Sequence, residues 1–184
     1  MQPSGPQKNG GTASQGTFAD AAAFGEIAFN CTNGANSLEA LRQAGSANLR
    51  GKILIEISNP LDISKGMPPT LTVCNNDSLG EQVQREFPET LVVKALNTVN
   101  CAIMVQPSLV PGDHQIFVCG NDEASKAKVI RHIVEWFGWK TENIIDLGDI
   151  SAARATEMWM PIWLRLYGKL GTAMFNLRLI TTKR

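Results

Sequence analysis

Between Phe18 and Ile150 short apolar runs alternate with stretches of helical pattern, and no other feature restricts the fold as strongly. Strands alternating with helices argue for an α/β sheet whose strands run mostly parallel. Runs such as ILIEI and IFVC are almost continuously apolar, which suits strands covered on both faces. The expected fold class is therefore α/β: a partial Rossmann-type sheet of about five strands with helices on both faces and a C-terminal helical segment.

The boundaries follow from local chemistry. FADAAAF (Phe18 to Phe24) reads as a short helix stopped by Gly25, and Glu26 to Thr32 as a strand. Ser37 opens a second helix closed by Gly45. Lys52 to Ser58 is a strand that ends at Asn59-Pro60, because proline cannot extend a central ladder. A loop containing Gly66, Pro68 and Pro69 follows. Ser78 and Glu81 form a capping box for a helix ending at Pro88. Strands are expected at Leu91 to Leu96, Gln115 to Gly120 and Asn143 to Ile150. Asn121 or Asp122 caps a longer amphipathic helix carrying Val129, Ile130, Ile133, Val134 and Phe137. The organisation is a flexible tail over 1–17, a Rossmann-like unit over 18–150 and a helical segment over 151–184.

In open α/β sheets, ligands collect beyond the carboxyl ends of the strands. Three such ends here are Asn30-Cys31-Thr32-Asn33-Gly34, Asn59-Pro60-Leu61 and Asn97-Thr98-Val99-Asn100. Their amides and hydroxyls both donate and accept without charge, an inventory suited to a carboxamide or a ribose. Any one such loop reads as ordinary turn chemistry. Three at one edge of one sheet bring a ligand site level with that plain reading.

Several functions are disfavoured. With 17 Lys plus Arg against 17 Asp plus Glu, the formal net charge is zero, so no global field holds a nucleic-acid backbone. No apolar stretch approaches the roughly 20 residues that span a bilayer, and MQPSGPQKNGG has no apolar leader core; a cytoplasmic protein with no membrane partner is expected. Cys31, Cys74, Cys101 and Cys119 stand far apart, and with His114 and His132 they make no metal-ligand spacing, so no metal is expected. The cysteines read as small hydrophobes in a reducing compartment, His114 as a surface turn residue and His132 as a helix histidine. Lys94 reads as a strand lysine snorkelling at the sheet edge or approaching an anion. Arg154 is expected to pair with Glu157 at i, i+3, with Asp149 and Ser151 capping the last helix. MWMPIWLRLYGKL fits a proline-kinked helix packed on the sheet or on a second subunit better than a membrane-surface helix.

GKILIEISNPLD, VVKALNTVN, FVCGNDEASK, IIDLGDISAARATE and WLRLYGKLGTAMFN, in that order and spacing, resemble the NADPH-dependent deazaflavin (coenzyme F420) reductase family. The cytosolic domains of membrane metalloreductases share a similar K-A-x-N-T strand end. The likeness runs from about Gly16 to Arg184. It implies NADP(H) on a Rossmann domain and hydride transfer between the nicotinamide and a deazaflavin or similar acceptor. The positions matching the nicotinamide-side loops are Thr32 with Asn33, Asn59 with Pro60, and Asn97 with Thr98, and Asn97 matches a position close to the deazaflavin ring. Such chemistry needs no protein nucleophile, and no general acid or base is assigned here.

The family opens with a strand, a G-x-G-x-x-G turn and a helix, and this sequence has none. NGGTASQG lacks that spacing and follows no apolar strand. Loss of the backbone cradle for a pyrophosphate implies weakened NADP binding. It also leaves strand 26–32 as an open edge, expected to pair in a homodimer if the C-terminal helix does not supply the contact. A fragment of a longer reductase, an edge-paired dimer and a non-catalytic interaction protein retaining half of the scaffold are the three explanations.

Overall fold

The structure, a computed structural model, describes residues 13–182. The first twelve positions of the expected tail lie outside the described residues. A Thr17–Asp20 capping box starts α1 (Phe18–Phe24), with each side chain bonded to the other residue's backbone N–H. Then come β1 (Ile27–Asn30), a 3₁₀ turn (Gly34–Asn36), α2 (Ser37–Ala44), α3 (Ser46–Leu49) and β2 (Ile53–Glu56). Residues 61–71 hold a small antiparallel pair, β3 (Leu61–Asp62) with β4 (Thr70–Leu71). After α4 (Leu79–Glu86) and β5 (Leu91–Ala95), a short α5 (Cys101–Val105) leads into β6 (Ile116–Gly120). The long α6 (Glu123–Phe137), β7 (Ile144–Asp146), α7 (Ala153–Met158) and α8 (Met160–Leu170) complete the order.

The main sheet runs β1-β2-β5-β6-β7, parallel throughout except between β5 and β6. That reversal has a simple cause. The β5–β6 connection contains only α5 and the Pro107–Leu109 turn, so no crossover carries the chain back across the sheet. β1 pairs with β2 on one side and is the terminal strand among the described residues.

Strand alternation sorts the core into two layers. Ile53, Ile55, Val93, Ala95, Ile116 and Val118 face α5 and α6 through Ile103, Val129 and Ile133. On the other face Leu54, Val92 and Cys119 meet Leu41, Leu79, Val83, Phe87 and Ala153. α8 begins one residue after α7, across Trp159, with Pro161 in its first turn. Its Met160 is buried, while Ile162, Tyr167 and Leu170 are exposed; Trp163 stacks on Tyr167 and on Phe175 of the returning chain.

Four sequence expectations are corrected here. Lys94 is 1% exposed in the second interior strand of the sheet, not at an edge. His114 is buried, because residues 176–179 fold back over it. Asn176 Nδ2 donates to His114 Nδ1 (2.9 Å) and to Gln115 O (2.9 Å), and Leu179 N–H donates to Gln115 Oε1 (2.7 Å). Cys31, Cys74 and Cys101 are exposed and only Cys119 is a core thiol, which burial pushes up to about 12. Arg154 pairs with Glu81 (2.5 Å), since Glu157 turns inward to Lys94.

Candidate functional site

β1, β2 and β5 end at one edge of the sheet, so the three polar loops after them are neighbours. Asn59 and Asn97 meet directly. Asn59 Nδ2 donates to the Asn97 carbonyl (2.8 Å) and Asn97 Nδ2 donates to Asn59 Oδ1 (2.9 Å). Thr32 joins them through Ser58, whose hydroxyl donates to Thr32 O (2.7 Å); the Thr32 hydroxyl donates to Asn30 Oδ1 (2.7 Å). Pro60 is buried behind this cluster. Asn33 is the outlier: it is exposed and its Oδ1 is committed to the Ala35 N–H, capping the Gly34–Asn36 turn.

Two buried oxygens in this cluster have no partner, Asn97 Oδ1 and Thr98 Oγ1. Buried polar groups are nearly always satisfied, so both stand out: Asn97 Oδ1 is an acceptor in want of a donor, and the Thr98 hydroxyl is free to accept or to donate. Thr98 also lines an apolar pocket of about 280 Å³ with Phe117, Leu147, Ala155, Thr156, Trp159 and Leu177. Trp159 Nε1 donates to the Thr98 carbonyl (3.2 Å), fixing the wall of that pocket to the end of β5.

Gly34 allows the loops to close. A Cβ built there would lie 2.0 Å from Asn59 O and 3.0 Å from Pro60 Cα, so the Asn59-Pro60 peptide rests on the glycine backbone.

Beneath the loops lies a row of polar residues that sequence reasoning did not assemble. Register aligns Asn30 with Glu56, Glu56 with Lys94 and Lys94 with Cys119, all on the face toward α4. Lys94 Nζ donates to Glu56 Oε2 and to Ser58 O, and sits 2.8 Å from Glu157 Oε1. Glu56 Oε1 accepts from Asn30 Nδ2 (3.1 Å) and Ser58 N–H (2.9 Å). Glu157 accepts the first two N–H groups of α4, Leu79 (2.8 Å) and Gly80 (3.0 Å). Burial drives the Glu56 carboxyl above its ordinary range, and Lys94 only partly opposes this. For Lys94, burial works against the ammonium, but Glu56 and Glu157 together outweigh it and raise its pKa. The signal in the sequence was one Glu in ILIEIS and one Lys in LVVKAL, of opposite sign, each alone in an apolar strand.

Among the described residues no group of three or more His, Cys, Asp or Glu is arranged to hold a metal ion, and no helix is long and apolar enough to cross a membrane. Nor do they contain a G-x-G-x-x-G turn between a strand and a helix.

The sheet, its covering helices and the uncharged polar loops at three strand ends define a Rossmann-like α/β domain. No family model matches the chain. It is 31% identical over 159 residues to the F420-dependent NADP reductase of Methanocaldococcus jannaschii, covering 84% of this chain and 69% of the relative. The chain belongs to the F420-dependent NADP reductase family. A crystal structure of a provisionally assigned F420-dependent NADP reductase from Arthrobacter sp. FB24 superposes with a TM-score of 0.85 at 53% identity, over 89% of this chain and 74% of that one. Metalloreductase STEAP3 of Rattus norvegicus is 28% identical over 109 residues, 59% of this chain and 20% of that protein. An imine reductase from Myxococcus stipitatus in complex with NADP+ shares the fold alone, with a TM-score of 0.52 at 18% identity.

Proposed function

We propose that this chain orients NADPH for hydride transfer to a deazaflavin or a similar acceptor. The observation that carries this reading is the mutually bonded Asn59–Asn97 pair, with Asn97 Oδ1 and Thr98 Oγ1 buried and unpartnered beside it. A carboxamide offers an N–H₂ donor to Asn97 Oδ1 and either an N–H donor or a carbonyl acceptor to the Thr98 hydroxyl, so the nicotinamide end of the cofactor fits the residues present. NADPH bound there supplies the hydride. Asn97 accepts from the carboxamide, the Thr98 hydroxyl bonds its other end, Asn59 holds Asn97 in place, and Thr32 closes the same wall through Ser58. The apolar pocket lined by Thr98 and Trp159 excludes water next to the transfer and has the character needed for one face of an acceptor ring. No side chain is assigned as acid or base.

The pyrophosphate end fits less well, since the described residues offer no glycine-rich cradle, and cofactor affinity is proposed to be reduced accordingly. The open edge of β1, rimmed by Phe24 (84% exposed), Phe18, Phe29 and Trp136, favours self-association there. The exposed apolar side of α8 is the other proposed dimer contact. A cytoplasmic location is part of the same proposal. The same open edge supports a second reading, a non-catalytic interaction protein built on the scaffold.

Calorimetric titration with NADPH, with NADH as control, tests the proposal. Saturable micromolar NADPH binding, followed by loss of the deazaflavin absorbance when that acceptor is added, is expected. No heat up to millimolar cofactor would leave the interaction reading.

A further inference from the structure

Lys94 and Glu56 each stand three residues before an asparagine of the candidate site, Asn97 and Asn59. We infer that the Glu56–Lys94 pair is a positioning device that sets the orientation of the Asn59 and Asn97 amides, an inference whose catalytic meaning rests on the nicotinamide reading above.

Both backbone groups of Ser58 are taken by this one ion pair: its N–H by Glu56 Oε1 and its carbonyl by Lys94 Nζ. The next residue is Asn59, whose direction is thereby fixed. Asn59 bonds twice to Asn97, and the β5 backbone leads from Asn97 back to Lys94. The result is a closed ring of covalent and hydrogen bonds joining the ends of β2 and β5. Ser58 Oγ extends it to the end of β1 at Thr32. The Glu56–Lys94–Ser58 side of the ring is dry, with Glu56 fully buried and Lys94 nearly so, while the Asn59–Asn97 side is partly buried. Buried bonds of this kind hold geometry against water that would otherwise exchange with them.

Glu157 belongs to the same cluster but not to the ring. Its partners are Lys94 and the N-terminus of α4, and no bond runs from it to the strand-end loops. A cluster that served only to hold the fold would make Glu56 and Glu157 equivalent. The ring makes them different, and that difference is measurable.

The test compares Lys94→Met/Glu56→Gln with Glu157→Gln, each ¹⁵N-labelled, ligand-free and held below its melting temperature. In the double variant one cation and one anion leave together, so no unpaired ammonium remains; Glu157 loses its cation but keeps the Leu79 and Gly80 N–H groups, and circular dichroism and the backbone amide spectrum establish that the variant is folded at the temperature used. The side-chain amide resonances of Asn59 and Asn97, assigned with Asn59→Ala and Asn97→Ala, are expected to move toward those of solvated asparagine. Glu157→Gln is expected to leave them in place while lowering the melting temperature. In the hydride-transfer assay the double variant is expected to lose about tenfold or more in kcat, since misplacement by an ångström costs up to about a hundredfold, while its NADPH affinity falls by no more than the roughly tenfold expected for Asn97→Ala. Glu157→Gln keeps its kcat. Unmoved Asn59 and Asn97 resonances in the double variant, or equal movement in Glu157→Gln, would overturn the inference. A wild-type chain that binds no NADPH sinks the nicotinamide reading instead, and the amide spectra still decide whether Glu56 and Lys94 position the pair.

Discussion

Replacing Lys94 by Met alone isolates the energetics of the buried charge row. Methionine matches the lysine stem closely enough that little cavity is created, so the change is almost purely electrostatic. It leaves Glu56 and Glu157, 0% and 2% exposed, without the cation that stands between them. Breaking a buried pair costs about 3–5 kcal/mol, which for a chain of this size lowers the melting temperature by roughly 6–20 °C near pH 7. The loss has a direction in pH. The folded-state pKa of Glu56 already lies above its ordinary value and rises further when Lys94 is gone. A carboxyl whose folded pKa exceeds the unfolded value contributes stability that is intact below the unfolded pKa, about 4.3 for Glu, and is lost as pH climbs through the folded value. The gap between wild type and variant therefore widens with pH, by at most about 1.4 kcal/mol per unit for one carboxyl in that window. Melting followed by circular dichroism at pH 5 and pH 7.5 measures both quantities. A fall of under about 2 °C, or an equal fall at the two pH values, would refute the assignment of Lys94 as the counter-charge.

Gly34→Ala places a methyl 2.0 Å from the Asn59 carbonyl, so it should cost about 1–3 kcal/mol by urea unfolding and weaken NADPH binding by calorimetry. Asn97→Ala removes one unpartnered acceptor and the donor to Asn59; NADPH affinity should fall about tenfold, a loss of about 1.4 kcal/mol. Asp77 is held down to about 2 chiefly by its hydrogen bonds from Arg85, so its contribution is present above the unfolded aspartate pKa and is lost as pH falls through about 2. Because Arg85 is well exposed, Asp77→Asn should cost under about 1 kcal/mol at pH 7, with the difference vanishing near pH 2 in acid-unfolding curves. A thiol reagent should modify Cys31, Cys74 and Cys101 in the native protein, Cys31 more slowly because burial raises its pKa, and Cys119 only on unfolding.

Local chemistry made much of the fold legible. The α1 and α2 boundaries follow from Thr17, Gly25 and Gly45, residues whose effect reaches only a few positions along the chain. The β strands followed from apolar runs, although the expected strand over 143–150 is shorter, because Gly148 at positive φ turns the chain away after Asp146. What stayed hidden depended on distance in sequence. Lys94 meets Glu56 across 38 positions, and only the β2–β5 register reveals it. Arg154 had a plausible partner at i, i+3 but finds Glu81 on α4, because Glu157 faces the sheet interior. His114 looked like a turn residue, and its burial depends on a segment more than sixty positions away. The candidate loops were named from composition and fold class. The bonds between Asn59 and Asn97, and the unpartnered oxygens beside them, arise only when β2 and β5 pair and bring their ends together.

The charges inside the sheet also discriminate among wrong ways of assembling it. ILIEI and LVVKA are so uniformly apolar that hydrophobicity alone ranks neighbouring alignments of β2 and β5 almost equally. A slip of one residue would turn Lys94 toward Ile103 and Ile133 and strand it in hydrocarbon. A slip of two would keep it on the correct face but carry it about 7 Å from Glu56, beyond reach of an ion pair. Only the native alignment neutralises both groups while they lose their water, so the row that weighs on stability is also what tells one apolar strand where to stop beside the next.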